Sequence, residues 1–304
     1  MIKVEKKLAK NVPFCPACGS ENLNNLFELP NKVQSSAYKI DFEQVSSIIQ
    51  CNDCSLQFKD PVYDTSLDLL VYQQYSSNMK KRWNQTLPKN LISFFKRYGK
   101  GSYFLEVGPG ETPISEICKD GIHYTLDIDE SHTDNTSSKS IIGSIDTSLE
   151  GDFNNLFDVV VMFDIAEHVT NVSEMFTNLN KLLKPEGKLI IETGDALSKH
   201  AKQHGSNWKY YSIPEHRVFF SEEFLKAIAT KYGFKITHIS KVPHKGVRTL
   251  SGFVLKSLAY LKWKIFKRST INKKIVTSNN MIFLTPDMPI IKDHIFIELT
   301  KEAT

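Results

Sequence analysis

The stretch "FLEVGPGETP", Phe104 to Pro113, decides the fold of this chain: an apolar strand stops at a glycine, turns, and restarts at Thr-Pro. A strand that feeds a glycine turn and then a helix is how an α/β sheet offers backbone N–H groups to a ligand. Two cofactor classes use such a turn. A nicotinamide dinucleotide site requires GxGxxG, but here Gly108 and Gly110 are followed by Pro113 at the third glycine position. The turn alone therefore leaves the cofactor open.

The residues after Gly101 alternate between apolar strand patterns and helical patterns, which predicts a mostly parallel sheet covered on both faces. Helices are expected at 113–119, 172–183 and 221–231, the last with an N-cap serine and a C-terminal glycine stop. Seven strands are expected: "YFLEV" (103–107), "HYTLDI" (123–128), "KSIIGSI" (139–145), "FDVVVMFD" (157–164), "GKLIIETG" (187–194), "FKITHIS" (234–240) and "DHIFIELT" (293–300).

Composition limits the function classes. A chain of 304 residues with 41% hydrophobic content predicts one main domain and one accessory module. The basic start lacks the apolar core of a signal peptide and no run of about 18 apolar residues occurs, so a cytoplasmic location is expected. The net charge of +4 is too mild to indicate nucleic acid as a partner. The charge is uneven, however, because no acidic residue lies between Glu223 and Asp287.

Four of the five cysteines form two knuckles, and each knuckle has the two-residue spacer that lets both thiolates face one ion. This pattern favours a structural Zn²⁺ site closed by four thiolates over a disulfide pair or a redox CxxC motif. The predicted organisation is a zinc-binding module at 1–62, a helical linker or lid at 63–100, and the α/β domain at 101–304. The predicted ligands are Cys15 and Cys18 in "CPAC" and Cys51 and Cys54 in "CNDC". Cys118, alone in an apolar pattern, is expected to be a buried hydrophobe.

Residues 101–302 resemble the class I S-adenosylmethionine-dependent methyltransferases. The resemblance rests on "LEVGPGETP", "YTLDIDES", "FDVVVMFDIAEHV" and "LLKPEGKLIIETGD", which appear in family order. It implies a seven-stranded Rossmann-like sheet whose last strand is antiparallel, and S-adenosylmethionine as cofactor. Asp127 ends the second strand nineteen residues after Gly108, where a carboxylate can accept hydrogen bonds from ribose hydroxyls. The resemblance implies these contacts: Glu106, Gly108 and Gly110 at the methionine end, Asp127 at the ribose, Ser144 at the adenine position, and Asp164 beside the methionine moiety through its backbone.

Two insertions should project at the carboxyl ends of the strands and form a substrate cap, at about 194–220 and 243–280. The first is too long and irregular for an ordinary connection. The second contains a predicted basic helix at 251–268 with three interpretations: a lid packed on the sheet, a basic face toward an anionic substrate, or an interfacial contact with a membrane.

Methyl transfer requires a group that aligns the acceptor and takes its proton, and histidine suits that proton at neutral pH. His216 in "IPEHRVFFS" is the predicted base, with Glu215 beside it, while His168 is expected to be structural or part of a pocket wall. An amino-terminal double CxxC module on this core is also similar to the deoxysugar C-methyltransferases and the UbiG-like methyltransferases. That resemblance implies a Glu-His pair matched by Glu215 and His216, and a tyrosine matched by Tyr75.

The predicted function is therefore methylation of carbon, oxygen or nitrogen on a small acceptor, a sugar or a nucleotide-linked sugar. Two alternatives are an RNA-modifying methyltransferase with a zinc module and a non-catalytic scaffold that binds the cofactor. No nucleic-acid partner is expected, and contact with a membrane surface is an option only for the basic helix at 251–268.

Overall fold

A computed structural model gives the structure of the chain and describes most of the α/β domain and the cysteine knuckles. The described residues are 2–4, 9–29, 32–33, 40–43, 46–63, 65, 68, 95, 97–98, 100–109, 114–116, 118–129, 138–149, 151–243, 257–258, 261–262, 265 and 291–303.

Sixteen strands and three α-helices have both bounds within the described residues, and helical backbone also occurs at 68, 95, 257–258, 261–262 and 265. The helices are α1 (Val172–Leu182), α2 (Lys199–His204) and α3 (Glu222–Ile228). Turns of 3₁₀ helix span Ile114–Glu116, Ala166–His168, Gly205–Asn207, Lys209–Ser212 and Thr230–Tyr232. The strands are β1 (Ile2–Val4), β2 (Ala9–Lys10), β3 (Leu23–Glu28), β4 (Lys32–Val33), β5 (Ile40–Glu43), β6 (Ser47–Cys51), β7 (Gln57–Asp60), β8 (Val62–Tyr63), β9 (Tyr103–Val107), β10 (Ile122–Asp127), β11 (Ser138–Ile142), β12 (Phe157–Phe163), β13 (Leu183–Gly194), β14 (Val218–Phe219), β15 (Phe234–Val242) and β16 (His294–Lys301).

The main sheet has seven strands in the order β11-β10-β9-β12-β13-β16-β15. The first five are parallel, and β16 runs antiparallel to both β13 and β15. The seven predicted strands and the antiparallel last strand are thus confirmed. The central strand β12 contains the apolar run Val159 to Met162, which has no exposed surface, as expected for a parallel strand covered on both faces.

Helix α1 starts where the sequence predicts, because the Asn171 side chain caps it by accepting a hydrogen bond from the Glu174 N–H at 3.0 Å. The Ser221 hydroxyl caps α3 in the same way through the Phe224 N–H. Gly233 ends the following 3₁₀ turn in the left-handed conformation that favours glycine. The helix expected at 113–119 appears in the described residues only as the 3₁₀ turn Ile114–Glu116.

The cysteine-containing segment shares a sheet with the α/β domain. Strands β3, β6 and β7 are antiparallel neighbours, and β14, from the insertion after β13, pairs with β7 as the fourth strand. One apolar cluster contains Cys15, Leu56 and Phe58 together with Phe176 of α1 and Phe224 of α3. The segment is therefore built into the larger domain through both a strand pair and a common core.

The insertion at 194–220 is an ordered segment rather than an irregular loop. It contains α2, two 3₁₀ turns and β14, and it buries Trp208, Tyr210 and Tyr211 in a cluster with Ile48 and Phe219. Its aromatic residues thus pack toward the cysteine-containing sheet.

Only a few positions of the 251–268 segment are described, and those at 257–258, 261–262 and 265 are helical. Leu258, Leu261 and Ile265 are exposed there, and their spacing of three and four places them on one helix face. The part of the chain that the structure describes holds no helix long and apolar enough to cross a membrane.

Candidate active site

The strand order reverses between β9 and β12, which makes the carboxyl ends of these neighbours the ligand crevice of the sheet. Gly108 follows β9 with φ +64°, and its N–H donates to the Leu126 carbonyl at 2.8 Å. A Cβ at Gly108 would lie 2.1 Å from Cδ1 of Ile165, so a side chain here would displace Ile165 and strain a left-handed backbone, which favours glycine. Gly110 and Tyr75, two predicted site residues, lie outside the described residues.

Asp127 ends β10 at the same edge and is partly exposed. Its Oδ1 accepts a hydrogen bond from the Asp129 N–H at 2.8 Å, which fixes the carboxylate at the strand end. Its carbonyl accepts from the Gly143 N–H at 2.9 Å, so the turn after β11 sits beside it. An oriented carboxylate here fits the two ribose hydroxyls of an adenosine-containing cofactor.

Glu106 is buried in β9, one residue before the end of the strand. Its Oε2 accepts a hydrogen bond from the Ile114 N–H at 2.9 Å, which ties the far side of the glycine turn back to the strand. Burial raises the pKa of Glu106 to about 7, although this hydrogen bond opposes the shift. In the structure Glu106 thus anchors the turn on which the predicted methionine contacts depend.

Ser144 follows β11, at the predicted adenine position. Its hydroxyl donates to Oδ1 of Asp146, a partner that sequence reasoning missed. Oδ2 of Asp146 accepts from the N–H groups of Thr170 and Asn171 at 2.6 and 3.1 Å. Burial by itself raises the pKa of Asp146, but these hydrogen bonds outweigh it and hold the pKa below the usual value. Within the chain, Ser144 therefore supports the loop that leads into α1.

A buried polar cluster lies after β12. Glu167 is 1% exposed, and its carboxylate accepts hydrogen bonds from Tyr210 at 2.5 Å and Thr193 at 2.9 Å. His168 packs edge-on against His216 with ring centroids 4.8 Å apart. The ligand atoms of Glu167, His168 and His216 all lie within 4.8 Å of one another. Burial, and then the nearby charge of Asp164, raise the pKa of Glu167 to about 7.

His216 enters this cluster as a neutral imidazole. Burial, and then the neighbouring His168, hold the pKa of His216 well below its usual range. Nδ1 lies 3.1 Å from the Tyr210 carbonyl, which can only accept, so Nδ1 carries the proton. The lone pair is then on Nε2, which faces Oε1 of Glu167 at 3.8 Å. The structure thus brings His216 together with the "AEHV" motif that follows the fourth predicted strand.

The segment around His216 is held by the cysteine-containing sheet. Lys59 of β7 is buried, and its ammonium donates to the Ile213 carbonyl at 2.6 Å while its N–H donates to the Arg217 carbonyl at 2.9 Å. Burial lowers the pKa of Lys59 to about 7, against the influence of nearby Glu215. The Arg217 N–H in turn donates to the Glu167 carbonyl at 2.8 Å. Backbone hydrogen bonds therefore connect β7, the His216 segment and the end of β12.

Arg217 completes this connection with its side chain. The guanidinium donates to the His168 carbonyl at 2.9 Å and forms a buried ion pair with Asp68 at 2.8 Å. Glu215, the predicted partner of His216, is buried and lies near Lys59. The carboxylate that faces Nε2 of His216 is that of Glu167. The structure thus offers Glu167, rather than the adjacent Glu215, as the carboxylate opposite His216.

Asp164 stands between this cluster and the cofactor crevice. It adopts φ +53°, a left-handed conformation that is uncommon outside glycine, and its N–H donates to the Glu192 carbonyl at 3.0 Å. Its Oδ1 lies 3.9 Å from Nε2 of His294. Burial favours the neutral ring of His294, but the carboxylates of Asp293 and Asp164 outweigh it and raise the pKa. Asp164 therefore follows the carboxyl end of β12 and has its Oδ1 close to the His294 ring.

The four predicted zinc ligands form a second cluster, with all four sulfur atoms within 4.8 Å of one another. Cys15 and Cys54 are 3.5 Å apart at sulfur, as are Cys18 and Cys51. A hydrogen bond from Cys54 lowers the pKa of Cys15 to about 5. No disulfide joins these cysteines, because the sulfur atoms of each pair are 3.5 Å apart.

The two knuckles have the same backbone form. The carbonyl of Cys15 accepts from the Gly19 N–H, and the carbonyl of Cys51 accepts from the Ser55 N–H, both at 2.9 Å. Gly19 and Ser55 both adopt left-handed φ values, +78° and +64°. Each knuckle thus turns its two sulfur atoms toward the other knuckle, a donor set of four thiol groups that fits a tetrahedral thiophilic ion.

Sequence reasoning found His216 and missed Glu167, Tyr210 and Lys59. The signal for Glu167 was present, because "AEH" directly follows a strand whose carboxyl end lies in the ligand crevice. Nothing in the sequence marks Lys59 as buried or Tyr210 as the donor to Glu167, since these contacts join segments 154 and 43 residues apart.

The fold and site together define an α/β enzyme with a cofactor crevice at the glycine turn and a buried acid–imidazole cluster beside it. Residues 75–239, more than half of the chain, match the methyltransferase domain family. The chain belongs to that family and is a methyltransferase. This membership supports S-adenosylmethionine as cofactor, and the positions of Gly108 and Asp127 fit it.

Solved structures with similar folds include methyltransferases from distant organisms. A putative methyltransferase from Bacillus halodurans is 14% identical, with a TM-score of 0.48 over 70% of this chain and 99% of that chain. A phosphoethanolamine N-methyltransferase from Haemonchus contortus is 18% identical, with a TM-score of 0.49 over 92% of this chain and 69% of that chain. No curated protein shows significant similarity to the sequence.

Proposed function

We propose that this enzyme transfers the methyl group of S-adenosylmethionine to a small acceptor, a sugar or a nucleotide-linked sugar, bound against the Glu167–His168–His216 cluster. The observation that carries the proposal is the neutral His216, whose Nε2 lone pair faces a buried cluster at the carboxyl ends of the strands. Such an imidazole can take a proton from an acceptor. A non-catalytic scaffold would not require an imidazole and a carboxylate that face each other in a buried cluster.

The cofactor supplies a methyl group already activated on a sulfonium. The chain binds it by the contacts proposed from the sequence: Glu106, Gly108 and Gly110 at the methionine end and Asp127 at the ribose. Two features support these roles, the glycine-favouring turn at Gly108 and the fixed carboxylate of Asp127. Asp164, between this crevice and the buried cluster, is suited to the methionine moiety.

The proton of the acceptor passes to His216 Nε2 as the new bond to the methyl carbon forms and the sulfonium bond breaks. Glu167 lies 3.8 Å from that nitrogen, and its ionised form, which burial disfavours by raising the pKa to about 7, stabilises the imidazolium that results. Glu215 supports the segment from the Lys59 side, and Tyr75 is proposed as a further acceptor contact on the sequence resemblance alone. Burial lowers the pKa of His216, so the resting imidazole is neutral, and it needs a nearby carboxylate to stabilise the charge that it gains with the proton.

We also propose that the four cysteines bind one structural Zn²⁺ within a module of residues 1–62, joined to the 101–304 domain by 63–100. Four thiol groups at tetrahedral-site spacing support the ion, and a shell closed by four protein ligands leaves it no catalytic position. The module's role is to hold the His216 segment, which β7 contacts through the β14 pair and Lys59.

The mild net charge supports a small acceptor over RNA, and the acid-free stretch between Glu223 and Asp287 suits the phosphates of a nucleotide-linked sugar. The exposed apolar face at Leu258, Leu261 and Ile265, within a lysine-rich segment, would also suit a membrane surface.

Labelled S-adenosylmethionine and separate pools of nucleotide-linked sugars, lipids and RNA provide the test. The proposal predicts label in the nucleotide-sugar pool. Label that appears only in RNA, with binding that weakens steeply as salt increases, would support the RNA-modifying alternative instead. Cofactor binding without label in any pool would support the scaffold.

A further inference from the structure

We infer that Glu167, His168 and His216 form a binding site for one divalent cation whose open positions take oxygen atoms of the acceptor. The inference rests on the proposed function for the reaction and the acceptor, and it replaces one step of that proposal: His216 binds the ion instead of taking the acceptor proton. It differs from the cysteine site in its ligands, its place in the fold and its purpose.

The spacing of the three side chains is the first support. Nε2 of His216 and Oε1 of Glu167 are 3.8 Å apart, too far for a hydrogen bond between them. Two ligands that each lie about 2.1 Å from one ion are about 3.0 to 3.4 Å apart. The ligand atoms of all three residues fall within 4.8 Å of one another, so a small inward movement closes them around an ion.

The surroundings of each ligand are the second support. A metal-binding histidine usually donates its other ring N–H to a carbonyl or carboxylate, which fixes the tautomer. His216 does this through Nδ1 and the Tyr210 carbonyl at 3.1 Å. The carboxylate of Glu167 is oriented by the hydroxyls of Tyr210 and Thr193. Both side chains are thus held with a lone pair directed into the cluster.

The ligand types and the access route indicate the class of ion. Imidazole and carboxylate suit Mn²⁺, Fe²⁺, Zn²⁺ or Mg²⁺, and three protein ligands leave coordination positions for water or substrate. Glu167 and His216 are buried, whereas His168 and Asp164 are only partly covered. The more exposed side of the cluster is therefore that of His168 and Asp164, and an acceptor oxygen would enter there.

A cation here changes the role of His216 from proton acceptor to ligand. An ion held by Glu167, His168 and His216 would lower the pKa of an acceptor hydroxyl bound to it, and the proton would leave to solvent past the partly exposed His168 and Asp164. The resulting oxygen anion would be the nucleophile for the methyl group, whose bond to the sulfonium sulfur would break as the new bond forms.

Manganese is the probe of choice because Mn²⁺ prefers nitrogen and oxygen ligands to thiolates, which leaves the cysteine site loaded with zinc. Electron paramagnetic resonance of the full chain titrated with Mn²⁺ alone should show one bound ion per chain. Glu167→Gln and His216→Ala should each weaken binding by more than about 100-fold. Tyr210→Phe, which removes the hydroxyl that donates to Glu167 and accepts from the Gly194 N–H, should weaken it by about 10- to 100-fold. The matched controls Glu222→Gln and His238→Ala, at exposed or half-exposed carboxylate and imidazole positions, should leave it unchanged.

Pulsed resonance on the unmodified protein makes the test independent of whether the variants fold. Coupling of the bound Mn²⁺ to imidazole nitrogen is expected. No bound ion, an ion without nitrogen coupling, or binding unchanged in correctly folded Glu167→Gln would overturn the inference. Methyl transfer without Mn²⁺ binding would reject the cation site and keep the proposed function. Mn²⁺ binding without methyl transfer to any acceptor pool would reject the proposed function and keep the cation site.

Discussion

Two clusters of metal-ligand type occur among the described residues, and they differ in composition and surroundings. The cysteine cluster has four sulfur donors on two knuckles of the same backbone form. The Glu167–His168–His216 cluster has one oxygen and two nitrogen donors, contributed by the end of β12 and by the insertion after β13. Four thiolates complete a tetrahedral shell, whereas three mixed ligands leave room for a substrate.

The two clusters have different roles: the cysteine cluster supports the fold, and the acid–imidazole cluster carries the proposed chemistry. The cysteine cluster lies in a core shared with α1 and α3, and its first knuckle contacts the start of α1, where the Pro16 carbonyl accepts from the Ser173 N–H at 3.0 Å. The acid–imidazole cluster lies at the carboxyl ends of the strands, beside the cofactor crevice. Lys59 and the β7–β14 pair connect the two, so the cysteine segment acts on the chemistry by holding the His216 segment in place.

The largest effect is expected at the cysteine cluster. Cys51→Ser removes one of four thiolates, and structural zinc in small domains contributes about 10 to 16 kcal/mol of binding free energy. Zinc content should fall from one ion per chain to almost none and the thermal midpoint should drop sharply. Methyl transfer should fall as well, because β7 holds the His216 segment. Metal analysis and thermal unfolding measure this.

The control for that change is Cys118→Ala, which removes a buried thiol outside the cluster. It should keep one zinc ion. Full zinc content in Cys51→Ser, or equal zinc loss in both variants, would show that the four-cysteine cluster is not the zinc site.

Glu106 provides a reference for a buried carboxyl outside both clusters. Its pKa rises from 4.5 to about 7 on folding, so it contributes stability below pH 4.5 that is lost as pH rises to about 7. The loss is about 3 kcal/mol at most. Glu106→Gln should therefore become more stable relative to the wild type as pH increases from 5 to 7.5. Denaturant unfolding at several pH values tests this, with exposed Glu223→Gln as control; parallel pH profiles for wild type and Glu106→Gln would contradict it.

Asp127 tests whether the cofactor crevice is independent of both clusters. Asp127→Ala should weaken S-adenosylmethionine binding by about 1.5 to 3 kcal/mol, because two ribose hydroxyls lose a charged acceptor. Zinc content should stay at one ion per chain, and NADH should not bind to either protein. Calorimetry that shows unchanged affinity would remove Asp127 from the site.

The smallest effect concerns the matching knuckles. Gly19 adopts φ +78° with open space around the Cβ position, so Gly19→Ala adds backbone strain without a clash. A cost of about 1 to 2 kcal/mol is expected from the left-handed conformation. At the equivalent position Ser55→Gly should be neutral or slightly stabilising. Thermal unfolding that ranks the two variants in the opposite order would show that the knuckles differ.

The main sheet was largely predictable, because its strands are apolar runs separated by helical patterns and because four motifs appear in family order. The zinc ligands were predictable for a similar reason, since their spacing is local. The partners of His216 were not, because Glu167, Tyr210 and Lys59 reach it only through tertiary packing. The insertion at 194–220 looked irregular because its order comes from pairing with β7 rather than from its own periodicity.

The account depends most on His216 as part of the chemistry rather than of the scaffold. Single-turnover methyl transfer to the true acceptor, measured beside S-adenosylmethionine affinity, tests this in His216→Ala with His238→Ala as control. We predict a rate lowered by about 10² to 10⁴-fold in His216→Ala with cofactor affinity nearly intact, and no change in His238→Ala. Full turnover in His216→Ala, or loss of cofactor binding together with turnover, would contradict the account.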